Sequence, residues 1–251
     1  MIRLPMLGAD PGAPFPAPHL ALTEPNGLLA FGGDLRPQRL LNAYAQGIFP
    51  WYSRDEPILW WSPDPRMVVA PDQLHLSRRF RRSLRGNSWR VSINSDFAGV
   101  IRHCAALPRP GQGGTWITAE MIAAYQTLHQ LGWAHSVEVR EDGLLIGGIY
   151  GIGIGRAFFG ESMFSRRSGG SKIAIAALCR ALQACRVELL DGQVESDHLA
   201  TLGFAPIPRQ AFLARLAGLC QPARPLPLAD LDIATLQPAR LLNRDDANHP
   251  A

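Results

Sequence analysis

Residues 144 to 164 constrain this chain more than any other stretch. They read Leu-Leu-Ile-Gly-Gly-Ile-Tyr-Gly-Ile-Gly-Ile-Gly-Arg-Ala-Phe-Phe-Gly-Glu-Ser-Met-Phe. Two apolar runs flank Gly153 and Gly155, which is the pattern of a buried β-hairpin. The other elements have to be arranged around it. Gly147, Gly148, Gly151 and Gly160 weaken a strand, so they are expected where another backbone or a ligand comes close. Side chains alternate along a strand. Phe159, Glu161 and Met163 should therefore share one face, and Phe158, Ser162 and Phe164 the other. A carboxylate at position 161 amid so much apolar surface is either a sheet-edge residue facing water or part of a site.

The flanking segments supply the rest of an α/β (α+β) chain. Residues 1–64 are rich in Pro, Gly and Trp and read as a small N-terminal domain ending near Asp64-Pro65. Arg39 to Gln46 fits a short helix stopped by Gly47. Residues 66–70 fit a strand. Ser77 and Gly86 bracket a helix in which Arg78, Arg81, Arg82 and Arg85 fall within one arc, opposite Leu76, Phe80 and Leu84. No acidic residue interrupts that run, so its face suits phosphates. Then come a strand near 89–93, a helix over 96–106, a mobile loop at 108–114, and a helix capped by Thr118. A strand at 135–140 leads into the hairpin. A helix follows to about Cys185, then a strand over 187–194 and a short helix ending at Leu202-Gly203-Phe204. Residues 65–251 form the second domain, with an irregular, mobile Pro-rich tail from about Gln221.

Composition narrows the chemistry. The net charge is only +4, but Lys172 is the single lysine, so the positive charge is almost all arginine. That suits phosphate recognition, and a GC-rich genome gives the same bias. Cys104, Cys179, Cys185 and Cys220 have no metal-ligand spacing and read as free thiols in a reducing cytoplasm. No stretch has the form of a signal peptide or a membrane span. There is no P-loop, no nucleophile elbow and no metal set, so no cofactor is expected.

Asp191 and Gln193 stand two apart on an apolar strand, hence on one face, where buried polar groups need partners. They are either a structural pair or a site carboxylate with an amide beside it. Trp51, following Phe49-Pro50, is a candidate for stacking on a base.

Several motifs resemble one family in the right order. They are Gly-Gly-Asp-Leu at 32–35, Gly-Ile-Phe-Pro-Trp-Tyr at 47–52, Trp-Trp-Ser-Pro-Asp-Pro-Arg at 60–66, Gly-Thr-Trp-Ile-Thr at 114–118, Ala-His-Ser-Val-Glu-Val at 134–139, Gly-Gly-Ile-Tyr-Gly at 147–151, and Phe-Gly-Glu-Ser-Met-Phe-Ser at 159–165. Together they are similar to the leucyl/phenylalanyl-tRNA–protein transferases over roughly residues 25 to 210. The resemblance implies a GNAT-like acyltransferase fold, consistent with the order hairpin, long helix, strand, short helix. It implies transfer of Leu or Phe from aminoacyl-tRNA to proteins beginning with Arg or Lys, without ATP, by a monomer. It gives Asp191 and Gln193 the proton-handling role, with the aspartate polarising the glutamine. It puts Trp51 and Trp116 at the terminal adenosine of the tRNA, lines a side-chain pocket with Ile149, Phe158 and Met163, and sets Tyr44, Tyr125 and Glu161 around the site. Two further family positions fall on Leu178 and Leu182. Two alternatives stay open: a GNAT N-acetyltransferase using acetyl-CoA, since Arg166-Arg-Ser-Gly-Gly-Ser171 approaches a pyrophosphate loop, and a non-catalytic RNA-binding module.

Overall fold

The computed structural model describes residues 4–84, 87–106, 116–238 and 240–241. Arg85, Gly86 and the loop expected at 108–114 lie outside the described residues. The long hairpin forms as β8 (Leu144–Ile154) and β9 (Ala157–Ser165), joined at Gly155-Arg156. It is the middle of a seven-stranded sheet. On one side β8 pairs antiparallel with β7 (Ala134–Glu141), and β7 with β6 (Arg90–Ile93). On the other side β9 pairs parallel with β10 (Leu189–Gln193). Beyond β10 lie β5 (Arg66–Val69) and the edge strand β11 (Ala205–Ile207), both antiparallel to their neighbours. A parallel pair needs a crossover, and α5 (Gly170–Ala184) provides it.

Helices cover both faces of this sheet. α5 buries Ile173, Ala174, Ala177, Leu178, Ala181 and Leu182 in one core, with Phe158 and Leu190 of the sheet. α3 (Phe97–Ala106) and α4 (Ala119–Gln130) fill the other core, with Tyr150 and Phe159. Thr118 caps α4 by accepting a hydrogen bond from the Met121 amide at 3.2 Å. A smaller sheet packs into this second core: β1 (Met6–Leu7), β2 (Leu28–Gly32), β4 (Leu59–Trp61) and β3 (Phe49–Pro50), in that spatial order. α1 (Pro37–Ala45) connects β2 to β3; Gly47, just past its end, has φ +73°. The remaining helices are α2 (Arg78–Ser83), α6 (Asp197–Thr201) and α7 (Arg209–Leu219).

Two expectations are corrected. Strict alternation along β9 fails because the register shifts: Gly151 faces Gly160 and Tyr150 faces Ser162, so Glu161 is the extra residue of a bulge. Phe158 and Met163 therefore share the α5 core, while Phe159 and Phe164 share the other. The described part of the C-terminal tail is irregular but packed. Leu226, Leu228 and Leu236 are buried, and the Gln237 side chain exchanges two hydrogen bonds with the Val91 backbone, at 3.1 and 3.0 Å. That amide continues the sheet edge beside β6. β11 and α7 carry no clear sequence signal and appear only in the structure.

The hairpin glycines mark close approaches. A methyl group on Gly147 would lie 2.5–2.6 Å from the Gly170 backbone at the start of α5, and one on Gly151 would lie 2.2 Å from the Phe159 carbonyl. Gly160 is different: its nearest neighbour would be the Asp191 carbonyl oxygen, at 3.5 Å. Gly147→Ala should thus destabilise the protein by about 1–3 kcal/mol through overpacking. Gly218→Ala, in α7 with nothing within 4 Å, should stabilise it by roughly 0.5–1 kcal/mol through helix propensity. Denaturant titration of both variants checks the opposite signs.

Candidate active site

The site lies where two parallel strands part. β9 and β10 are paired at Ala157–Leu189, Phe158–Leu190 and Phe159–Asp191, and the pairing stops at Gly160. There β9 bulges at Glu161, while the β5–β10 ladder shifts register between Asp191 and Gln193. Gln193 takes φ +64°, an uncommon conformation for a residue other than glycine. Backbone left unpaired at such a notch faces a cavity instead of a neighbouring strand.

Two cavities open into the notch. One of about 190 Å³ is mostly apolar, walled by Ile149, Met163, Ile175, Leu190, Leu199 and Phe204. The other, of about 310 Å³, is walled by Phe49, Pro50, Trp51, Trp116, Val194 and Glu195. Glu161, Gly192, Gln193, Ser196 and Leu199 belong to both walls. The notch thus places one polar junction between an apolar pocket and an aromatic one.

Buried hydrogen bonds hold the junction. Arg66, at the start of β5, donates from Nε to Asp191 Oδ1 at 2.9 Å and from a terminal nitrogen to Oδ2 at 2.7 Å. Both residues are fully buried. Asp191 Oδ1 also accepts the Gln193 backbone amide at 2.8 Å, which fixes the left-handed bend. That bend swings the Gln193 side chain toward β9, where its Nε2 donates to Glu161 Oε1 at 2.7 Å. With Nε2 committed there, the carbonyl oxygen of the amide is left as an acceptor. The contact between Asp191 and Gln193 runs through the backbone amide of Gln193.

Glu161 sits among phenols. Tyr44 and Tyr125 lie 2.7 and 2.9 Å from its two carboxyl oxygens, and their hydroxyls also hydrogen-bond each other. Two phenolic protons cannot fill three such contacts; a proton on the carboxyl group closes the ring. Burial acts in the same direction. It raises the Glu161 pKa to about 7 against the lowering effect of the hydrogen bonds from Tyr44, Tyr125 and Gln193. Burial likewise raises Tyr44 and Tyr125 well above the usual phenol value.

The other sequence-derived candidates fall in three places. Trp51 and Trp116 are half-buried in the aromatic cavity, and Trp51 leans on Trp61 with ring centroids 5.6 Å apart. Ile149 and Met163 line the apolar cavity, but Phe158 is fully buried behind it against Gly151, outside the lining. On α5 it is Ile175 that reaches the cavity, while Leu178 and Leu182 point into the core. Arg78 and Arg82 are exposed on α2, and Arg81 is half-buried with its Nε donating to the Leu76 carbonyl at 3.1 Å. Phe80 of the same helix lies under the Lys172 ammonium, 5.6 Å from its ring centre, so the basic helix sits beside the start of α5. Arg85 is outside the described residues. Sequence reasoning missed Arg66; its signal was a lone arginine opening the apolar strand Arg-Met-Val-Val. Among the described residues no group of three or more His, Cys, Asp or Glu is placed to hold a metal ion, and no helix is long and apolar enough to cross a membrane.

The Glu161 environment sets a pH dependence. The folded protein holds this proton up to about pH 7, while the unfolded chain releases it near 4.3. The stabilisation is full below the unfolded value and is lost as pH rises through 7. Glu161→Gln keeps a donor and an acceptor in the ring without a titrating proton. The stability of the variant relative to wild type should therefore rise by roughly 2 kcal/mol between pH 5.5 and 8. Denaturant titrations at the two pH values measure it, and a constant difference would mean that Glu161 is already ionised at pH 5.5.

Comparison with known proteins identifies a family. Residues 68–217 match the family model described as leucyl/phenylalanyl-tRNA protein transferase, and residues 33–64 match the N-terminal domain of the same family. A leucyl/phenylalanyl-tRNA–protein transferase from Xanthomonas axonopodis pv. citri is 60% identical over 220 residues, which is 88% of each chain. One from Xylella fastidiosa strain M23 is 58% identical over 214 residues, 85% of this chain and 88% of its own. Solved structures are far more distant. FemX aligns over 72% of this chain and 71% of its own at 10% identity with a TM-score of 0.43. A GCN5-related N-acetyltransferase from Kribbella flavida aligns over 68% and 60% at 15% identity with a TM-score of 0.31. Scores this low leave the GNAT-like architecture resting on the strand order and crossover described above. At 60% identity across seven-eighths of its length, with matches spanning both sheets and the notch, the chain belongs to the leucyl/phenylalanyl-tRNA–protein transferase family.

Proposed function

We propose that this protein transfers Leu or Phe, and also Met, from aminoacyl-tRNA to the N-terminal α-amine of proteins beginning with Arg or Lys, marking them for N-degron degradation in the cytoplasm. It acts as a monomer. In this reading residues 1–64 are a small domain that contributes Tyr44 and Trp51, and residues 65–251 are the transferase domain. The observation that carries the proposal is the meeting of the two cavities at Gln193 and Glu161. An aminoacyl ester has an apolar side chain on one side of its carbonyl and a nucleoside on the other, and the notch offers a wall suited to each.

Little chemical activation is needed. The ester is already reactive toward amines, and a protein α-amine, with a pKa of about 7.7–8.0, is partly neutral near pH 7. The amine nitrogen attacks the ester carbonyl, the C–N bond forms, the C–O bond to the ribose breaks, and the amine proton ends on the released ribose hydroxyl. Alignment supplies most of the acceleration. The free carbonyl oxygen of Gln193 accepts the N–H of the incoming amine and aims its lone pair, while Glu161 Oε1, accepting from Gln193 Nε2, holds the amide in that orientation. Asp191 holds the bend that presents Gln193. Trp51 and Trp116 flank the terminal adenine; stacking of this kind is worth about 1–3 kcal/mol per base.

The acetyl-CoA alternative fits the start of α5 less well. A pyrophosphate would use the backbone amides there, but the Gly170 amide bonds the Arg167 carbonyl at 2.9 Å and the Ser171 amide bonds Ser165 Oγ at 2.8 Å. A non-catalytic RNA-binding module would leave the buried Gln193–Glu161 junction without a role.

The reading is tested by mixing the protein with charged tRNAs and an Arg-leading peptide, without ATP, and following peptide mass. Leu, Phe and Met should be transferred. Ile and Val branch at Cβ beside the reacting carbonyl, so they should bind but react far more slowly, because size discrimination alone is worth only about 1–3 kcal/mol. Gln193→Ala should lower the single-turnover rate on the order of 100-fold with little change in tRNA affinity. Equal rates for Leu and Ile would overturn the pocket assignment, and full activity in Gln193→Ala would remove that residue from the mechanism.

Arg78 and Arg82, exposed on α2, and the half-buried Arg81 between them are proposed to hold tRNA phosphates. Replacing Arg78, Arg81 and Arg82 with Ala should weaken binding of all tRNAs alike. The slope of log affinity against log salt should become shallower by up to about 2–3, since each lost contact contributes less than one. An unchanged slope would assign these side chains to solvent.

A further inference from the structure

The site has two walls on different sheets, and one side chain touches both. Arg66 grips Asp191 through two nitrogens, at 2.9 and 2.7 Å, and its remaining terminal nitrogen donates to the Gly47 carbonyl at 3.0 Å. Asp191 in turn holds the Gln193 amide at 2.8 Å. Gly47 opens the segment Ile48-Phe49-Pro50-Trp51, whose last three residues form the facing wall of the aromatic cavity. The guanidinium carbon lies 4.9 Å from the Phe49 ring centre and 4.7 Å from that of Phe212 in α7. A planar, always charged fork between two aromatic faces has little freedom to move.

We propose that Arg66 is a positioning residue of the transfer reaction: it fixes the stacking wall at Trp51 and the amide of Gln193 at one separation. The proposal rests on the transferase reading above. Arg66 is not in the lining of either cavity. Its effect on the reaction must therefore pass through Gln193 and the Gly47–Trp51 segment. A lysine at this position keeps the charge near Asp191 but has no planar fork. It cannot meet both carboxylate oxygens and the Gly47 carbonyl in the same geometry. The two walls would then drift relative to each other while each keeps its own shape. Loss of alignment lowers the rate of bond formation more than it lowers binding.

The test is a double-mutant cycle. Single-turnover transfer of Leu to an Arg-leading peptide is measured for wild type, Arg66→Lys, Gln193→Ala and the double variant, with melting temperature and aminoacyl-tRNA affinity recorded for each. Arg66→Lys should slow transfer by about tenfold or more while affinity changes by less than about threefold. In the Gln193→Ala background the same change should slow transfer by less than about threefold, because the group it positions is gone. A purely structural role would give the same loss in both backgrounds, and that result, or a wild-type rate in Arg66→Lys, would overturn the proposal. If Arg66→Lys does not fold, Phe212→Leu, which removes one aromatic face from the guanidinium, takes its place in the cycle with the same two outcomes. Absence of transfer by the wild-type protein would instead refute the transferase reading, and the positioning role with it.

Discussion

A buried ion pair sits where the molecule's parts converge. Arg66 and Asp191 are both fully buried. Taking two charges out of water is expensive, and such a pair often adds little net stability relative to apolar residues of the same volume. What it does provide is geometry. The pair joins β5 to β10, ties β10 to the chain after α1 through the Gly47 carbonyl, and is flanked by a ring from β3 and a ring from α7. Hydrophobic contacts alone would tolerate sliding among these four elements; a bidentate arginine with a third directed hydrogen bond does not. Breaking one side would leave a buried charge unpaired, which makes the arrangement close to all-or-none.

The second polar unit, Glu161 with Tyr44, Tyr125 and Gln193, draws its members from α1, α4, β9 and β10. It works on the opposite electrostatic principle. The first unit keeps opposite charges together; in this one burial favours the neutral form of a carboxyl group against the pull of its hydrogen-bond donors. A ring of neutral groups is stable inside a core, whereas an ionised carboxylate there keeps three donors but carries a charge that burial penalises. The two units meet at Gln193, whose backbone belongs to the charged one and whose side chain belongs to the neutral one. Under the proposed transfer reaction, that junction offers a rigid amide next to a pair of cavities and calls for no strong base.

The β9 bulge explains how one strand serves both the core and the site. Without it, Met163 would fall on the same face as Phe159 and Glu161, toward the tyrosines. The inserted residue leaves Glu161 on the Phe159 face beside Tyr44 and turns Met163 into the apolar cavity. Gly160 has only ordinary contacts, so the strands can separate there and open the notch.

Much of this was legible in the chain. The hairpin, the long helix after it, the Thr118 cap and the stop at Gly47 all rest on local patterns, where periodicity and turn chemistry act within a few residues. Asp191, Gln193, Trp51, Trp116 and Glu161 stood out because polar or aromatic side chains in those settings demand partners. Tyr44 and Tyr125 entered only by resemblance, since a tyrosine in an apolar helix face has no local sign of an ionisable neighbour. Arg66 and α7 give only weak local signals, and the Pro-rich C-terminal tail reads as mobile although Leu226 and Leu236 are buried. By itself, the sequence determined most of the helices and strands and several of the chemically unusual residues, because those properties follow from neighbours along the chain. Tertiary structure alone decided that Arg66 lies against Asp191, 125 positions away, that a bulge at Glu161 turns Met163 to the opposite core, and that two parallel strands part at Gly160. Each depends on register and long-range packing, which no local pattern encodes.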